Sequence, residues 1–402
     1  EDNNVFYQAN LQADTAPRIT WEDPTPEDGG DVYADYIILN TTITDTQQSS
    51  AWFDWNQSLV GYWSFEYYNA SGVFDNSSYD RFMTFNTGVD QSRITTGFYG
   101  NSIETDGVND DLVVASSSEL DFPQEGTVSL WVKVDATVGS YDMPLWRGGS
   151  SAPQPGYDFE LGSSTWLVGT ANGTDVKTCQ LSASPISGWV MLSFTYNRSA
   201  NELTCFVNGT ATGAATDMTG FGPLNSSYDL YIGNNENQQF DFDGYIDEVL
   251  IFNRTLSSQE MLALYNNSAN RLQRNFTNLT SGAYTYSAYA MDASGNLRIT
   301  PQRSVFVYEN ISACQTISSP GYYVLDQNVT HTGTCFEITA NNVTLDCNGY
   351  AINYSTNGLS SSFGLLTTQN YTTVQNCKFY DGSWQAGGGN TRQAIRAVSG
   401  AR

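Results

Sequence analysis

The side chains with chemistry to offer are carboxylates and cysteines. The carboxylate pairs nearest to a glycosidase arrangement are Asp241-Phe242-Asp243 and Asp247-Glu248. Two carboxylates that flank a glycosidic bond can serve as acid and nucleophile. Asp241 and Asp243 share a strand face by the period of two, whereas Asp247 and Glu248 are expected on opposite faces. A third acid would extend the first pair at position 245, but that residue is Tyr245. His331 is the only histidine. Set in a polar run, it is not expected to serve a Ser-His-Asp relay, a Cys-His pair or a His-based zinc or iron centre. In its polar run, His331 reads as an exposed loop residue. No catalytic residue is assigned, and the chain is not expected to be an enzyme.

The six cysteines fall into near neighbours: Cys179 and Cys205, Cys314 and Cys335, Cys347 and Cys377. Six cysteines admit 15 connectivities, and pairing by proximity is one of them. There is no C-x-x-C pair and no second histidine to make a metal site. As disulfides they fit an oxidising exterior, and each could stabilise by about 3–4 kcal/mol.

A second signal points the same way. Asn-x-Ser/Thr acceptors occur at Asn40, Asn56, Asn69, Asn76, Asn172, Asn197, Asn208, Asn225, Asn253, Asn266, Asn275, Asn278, Asn310, Asn328, Asn342, Asn353 and Asn370. These are 17 sites, where chance at this Asn and Ser/Thr content gives about 7. The excess implies N-linked glycans.

Composition narrows the function classes. The 402 residues carry a net charge of −26, from 42 acidic and 16 basic side chains. Such a surface repels nucleic acid. Yet only 14% of residues are charged, against about 25% in ordinary domains. Ser and Thr (82) and Asn (35) keep the surface wet instead. No apolar run reaches the roughly 18 residues that a membrane-spanning helix needs. With no starting Met, Glu1 reads as the residue left when a leader is removed.

The elements that must position these groups are strands. Runs such as Tyr36–Thr44 and Thr127–Val134 are rich in β-branched and aromatic residues and are punctuated by Gly, Asn and Asp, as in sandwiches. One helix is expected. Ser257-Ser-Gln-Glu260 is a capping box, and the helix should end near Asn270. At the N-terminus Val5, Tyr7, Ala9 and Leu11 alternate on one face and could pair with a sheet edge, in this chain or a neighbour's. At the other end Arg392, Arg396 and Arg402 give the acidic chain a basic tail that suits contact between subunits.

Residues 58–270 resemble a laminin G-like domain of the concanavalin A-like lectin/glucanase jelly-roll class. Gly61-Tyr-Trp-Ser-Phe-Glu66, Phe74-Asp-Asn-Ser-Ser78, Thr105-Asp-Gly-Val-Asn-Asp-Asp-Leu112, Thr127-Val-Ser-Leu-Trp-Val-Lys133, Trp189 to Tyr196, Phe206-Val-Asn-Gly209 and Phe242 to Asn253 run in the family's order. The resemblance implies a structural calcium held by Glu66, Asp75 and Asp247, with Asp110 and Asp111 as a second choice. It also makes a cross-sheet bridge between Cys179 and Cys205 plausible. Calcium takes six to eight oxygens, so several acids in one pocket suit it. Trp146 and Trp166, in apparent loops, are the expected platform for a carbohydrate ligand, while Trp131 and Trp189 are expected in the core.

The flanks, 17–57 and 271–309, resemble the two ends of one immunoglobulin-like module of archaeal-type surface proteins, interrupted by the jelly roll. Neither half alone has enough strands to bury a core. From 310 to 402, Asn341-Asn-Val-Thr-Leu-Asp-Cys-Asn-Gly-Tyr-Ala-Ile352 and Thr372-Thr-Val-Gln-Asn-Cys-Lys-Phe379 resemble the first rungs of a right-handed parallel β-helix. With an arm at 1–16, the expected fold is all-β: a jelly-roll sandwich inserted in an immunoglobulin-like sandwich, plus a short β-helix-like domain. The function this implies is a structural cell-surface glycoprotein, a subunit of a filament, appendage or surface layer that partners itself. The other readings are a lectin for surface carbohydrate and, more remotely, a polysaccharide-degrading enzyme.

Overall fold

The computed structural model describes residues 16–45, 47, 49–136, 141–149, 154–162, 165–181, 188–266, 271–357, 361–383 and 392–398. Val5, Tyr7 and Arg402 lie outside the described residues. The chain divides into two compact units. The first is Glu1–Trp21, Thr41–Leu272 and Tyr286–Pro301, and the second is Glu22–Asn40, Gln273–Thr285 and Gln302–Arg402. The flanking module is therefore not a unit of its own. Its long strands Tyr36–Thr44 and Gly282–Asp292 each contribute residues to both units.

The first unit is a sandwich of two antiparallel sheets. In one, Glu125–Ala136 pairs with Val190–Asn197 on one side and Asp243–Phe252 on the other. In the other, Gly156–Gly162 pairs with Tyr141–Arg147 and Trp166–Ala171. Strand alternation fills the space between the sheets: Val128, Leu130, Val132 and Val134 enter the main core. Trp131 points the other way, into a second core with Tyr62, Tyr99, Leu250, Met261 and Tyr289. The Cys179–Cys205 disulfide joins an edge strand of one sheet to a strand of the other, with Cα atoms 6.1 Å apart.

The helix Ser258–Tyr265 seals the second core. Its capping box is present, with Ser257 Oγ accepting from the Glu260 amide and Glu260 Oε2 accepting from the Ser257 amide. It ends earlier than expected. Asn266 leaves helical geometry at ψ 96° while its N–H still returns to Leu262 O, and residues 267–270 are outside the described set. One strand from each flank pairs with the other. Ser49–Trp55 pairs antiparallel with the 286–292 stretch, from Trp55 opposite Tyr286 to Ser49 opposite Asp292.

In the second unit the chain visits three parallel sheets in rotation. Gly321–Leu325 pairs with Val343–Asp346, which pairs with Thr372–Gln375. Thr316–Ile317, Phe336–Ile338, Phe363–Thr367 and Gln393–Ala397 make the second sheet. Val329–Thr330, Ala351–Tyr354 and Lys378–Asp381 make the third. Leu325, Phe336, Leu345, Ile352 and Leu365 fill the inside of the coil. Cys314–Cys335 and Cys347–Cys377 tie successive turns, with Cα atoms 4.6 and 4.7 Å apart. All three bridges thus follow the near-neighbour pairing. Among the described residues no helix is long and apolar enough to cross a membrane.

Candidate functional site

Two buried acids, Asp247 and Glu248, lie on the outer side of the first sheet, with the half-buried Glu66 near enough for its charge to act on both. The reason is a defect in the strand Asp243–Phe252. Its register against Glu125–Ala136 steps from Trp131↔Asp247 to Ser129↔Leu250, so it carries an extra residue. Glu248 sits there with φ 51°, which marks a β-bulge. Ile246 and Val249 both face the main core, and the two residues between them face away from it. The expectation that Asp247 and Glu248 lie on opposite faces is therefore corrected: the bulge breaks the alternation.

Asp247 Oδ2 accepts from the Phe98 and Tyr99 amides at 2.9 and 3.0 Å. Glu248 Oε2 accepts from Tyr62 Oη at 2.8 Å. Asp247 Oδ1 and Glu248 Oε1 are buried without a hydrogen-bond partner. Burial pushes both carboxyls well above the usual range, and the charges of Glu248 on Asp247 and of Glu66 on both push the same way.

Glu66 is wedged between two loops. Asn101 donates to it through its amide and, at 2.9 Å, through its side chain. A Cβ on Gly100 or Gly295 would come within 2.2 or 2.7 Å of its Oε1. Burial pushes the Glu66 carboxyl up to about 8, against the Asn101 hydrogen bonds and with help from Asp292.

Asp75 does not join this group. Its Oδ1 accepts from the Tyr62 and Ser77 amides, and its Oδ2 from Ser77 Oγ and the Arg81 amide, at 2.7 to 2.9 Å. Four donors saturate it, so it locks a turn. Asp110 and Asp111 lie at another place. Asp111 accepts from the Thr87 amide and Asn86. Burial and the Asp106 charge push Asp110 up to about 6, against Arg93. Among the described residues no three His, Cys, Asp or Glu side chains stand close enough to grip a metal as they are. The open oxygens of Asp247 and Glu248 nonetheless fit the donor chemistry of calcium.

Trp146 and Trp166 are not a ligand platform. Each lies in a strand, 2% and 0% exposed. Trp166 packs against Phe242 in the main core, and Trp146 meets Tyr228 and Tyr231 edge-on. His331 is exposed, as expected. Arg392 bonds Asp381 at 3.2 Å, and Arg396 lies over the Phe363 ring at 5.0 Å. Asn40 is 3% exposed, with Nδ2 donating to Asp23 O at 2.7 Å. It has no room for a sugar. The other sixteen acceptor asparagines are exposed or half-exposed.

The sequence assigns no role to Tyr62 or Asn101, and offers Glu248 only as an acid on the face opposite Asp247. A left-handed residue in a strand leaves no trace in a Glu-Val pair, and the asparagine partner comes from a separate loop.

Residues 106–261 match a laminin G-type family described as the concanavalin A-like lectin/glucanases superfamily. This stretch is a lectin-like jelly-roll domain. No curated protein matches the chain. Solved structures similar to it include the binding domain of Paraclostridial Mosquitocidal Protein 1, at 16% identity and TM-score 0.42 over 52% of each chain. Another is the botulinum neurotoxin serotype D ligand binding domain, solved with N-acetylneuraminic acid, at 15% identity and TM-score 0.42 over 52% of this chain and 51% of that one. The likeness spans about half the length of these domains.

Proposed function

We infer that this is a non-catalytic, extracellular structural glycoprotein of a cell surface, which assembles with copies of itself into a filament, appendage or surface layer and has an adhesive role. The observation that carries the reading is the distribution of its acceptor asparagines. Sixteen of the seventeen reach solvent, on both units, and three disulfides lock the same chain. That combination suits an oxidising, glycosylating exterior. In this reading the flanking strands form an immunoglobulin-like module and the parallel coil a β-helix-like domain.

Calcium is the metal of this reading. Asp247 and Glu248 would hold it through their open oxygens, with the half-buried Glu66 beside them, and it would supply the positive charge that the buried pair lacks. A second reading, a carbohydrate-binding adhesin, is supported by the lectin-like domain at 106–261. Negative-stain electron microscopy of the purified chain tests the first reading. Ordered polymers at high concentration are expected, and a strictly monomeric particle would overturn it.

A further inference from the structure

The second unit carries a stripe of tyrosines that runs into a rigid carboxamide cluster. Tyr33 is 53% exposed. One face of its ring stacks on Tyr308, with centroids 5.1 Å apart and planes 16° off parallel. The Tyr322 ring stands edge-on to Tyr308 at 5.0 Å. Tyr322 then donates from Oη to Asp346 Oδ2 at 3.0 Å. Strand pairing sets the direction, since Asp346 lies opposite Gln375 on the next turn. The backbones of Tyr322 and Gln375 lie two strand spacings, about 10 Å, apart, and their side chains meet between them.

The cluster at the far end is held by its donors and leaves its acceptors open. Gln375 Nε2 donates to Asp346 Oδ2 at 2.7 Å and to Tyr322 Oη at 2.6 Å. Asn376 Nδ2 donates to Asp346 Oδ1 at 3.0 Å. Both carboxamide N–H groups are thereby committed to one carboxylate. Among the described residues, Gln375 Oε1 and Asn376 Oδ1 accept from nothing. Two fixed acceptors call for a ligand rich in O–H donors. The free face of Tyr33 calls for an apolar face of matching size. The carboxylates that touch the stripe, Asp31 on Tyr308 and Asp346 on Tyr322, disfavour an anionic ligand.

We propose that this stripe, Tyr33–Tyr308–Tyr322 leading to Gln375 and Asn376, is a binding track for a neutral oligosaccharide from outside the chain. A sugar ring stacks its C–H face on Tyr33, and the hydroxyls of the following units donate to Gln375 and Asn376. This site is separate from the jelly roll and does not rest on the chain's assembling into polymers.

The test is a glycan array of neutral and sialylated oligosaccharides, probed with the full chain and three variants. The native chain is expected to bind neutral members. Tyr33→Ala and Asn376→Gly should each weaken that binding at least tenfold with an unchanged melting temperature. Asn376 has φ 54°, so glycine suits its backbone. A blank array, or binding undiminished in both variants, overturns the track. The latter result would leave a lectin site in the jelly roll standing. Asn310 is an acceptor asparagine whose Nδ2 donates to Tyr33 O at 2.8 Å. Binding that appears only in Asn310→Gln would assign the stripe to the chain's own sugar and overturn an external ligand.

Discussion

Tyr62 donates a hydrogen bond from Oη to Glu248 Oε2 at 2.8 Å, and the other oxygen of that carboxylate is buried with nothing to accept from. A buried acceptor left unmade costs about 1–3 kcal/mol. A second such atom, Asp247 Oδ1, belongs to the neighbouring residue. A proton or a cation relieves both, and the two reliefs have opposite pH dependence.

Glu66 makes the sign explicit. Its carboxyl is raised from 4.5 to about 8 in the folded chain. Between these values the folded state holds more protons than the unfolded one. The stability it contributes is complete below pH 4.5 and is lost as pH rises toward 8. In EDTA the melting temperature should therefore fall over that window. At pH 8, calcium at about 100 times its Kd should restore about 2.7 kcal/mol. A melting temperature indifferent to both chelator and calcium at pH 8 would remove the cation from this site.

Asp75 separates a turn lock from a ligand. Asp75→Ala strands four donors, three of them backbone amides. It should cost about 1–3 kcal/mol by denaturant titration and keep the calcium-induced rise in melting temperature. Asp247→Asn should abolish that rise. If the two variants behave the other way round, the assignment of roles is reversed.

Gly295 supports Glu66 by lacking a side chain. It has φ +82°, and a Cβ would meet Glu66 Oε1 at 2.7 Å. Gly173 has φ +92° with nothing within 4 Å. Alanine at either position strains the left-handed backbone by about 1 kcal/mol. Only Gly295→Ala should add a steric cost, so its loss of stability should clearly exceed that of Gly173→Ala. Equal losses in the two variants would show that Glu66 gives way freely.

Trp166→Ala should act on folding and not on sugar binding. Removing a fully buried tryptophan costs about 3–5 kcal/mol, read as a lower denaturation midpoint. A variant that keeps its stability and loses glycan binding would restore Trp166 as a platform. Its misreading shows where sequence reasoning failed. Trp146 and Trp166 stand beside glycines and serines, at 148–150 and 162–164. That turn chemistry reads as loop, but Trp146 lies within the strand Tyr141–Arg147 and Trp166 opens the strand Trp166–Ala171. Trp131, expected in the core, is buried, on the face opposite the main core. At Glu248 a single left-handed residue reversed the expected face. The capping box and the cysteine pairs were legible because their partners are local.

The acceptor asparagines give a test of the glycoprotein reading that needs no substitution. A sugar replaces one hydrogen on Nδ2, so that atom must face solvent. Asn40 fails this condition in the folded chain. Its backbone amide donates to Thr25 Oγ1 at 2.7 Å, and its Nδ2 is turned inward to Asp23 O. Asn56, Asn225, Asn253, Asn275 and Asn328 are exposed. Glycopeptide mapping of folded, secreted material should find sugar on several of these five and none on Asn40. Occupancy at Asn40 would mean that the strand Tyr36–Thr44 is arranged otherwise, because a glycan there would displace the Asp23 carbonyl and expose the neighbouring Thr41. A chain with all five unmodified would remove sugar as the reason that so few charges keep this acidic surface in solution, leaving Ser, Thr and Asn to do it alone.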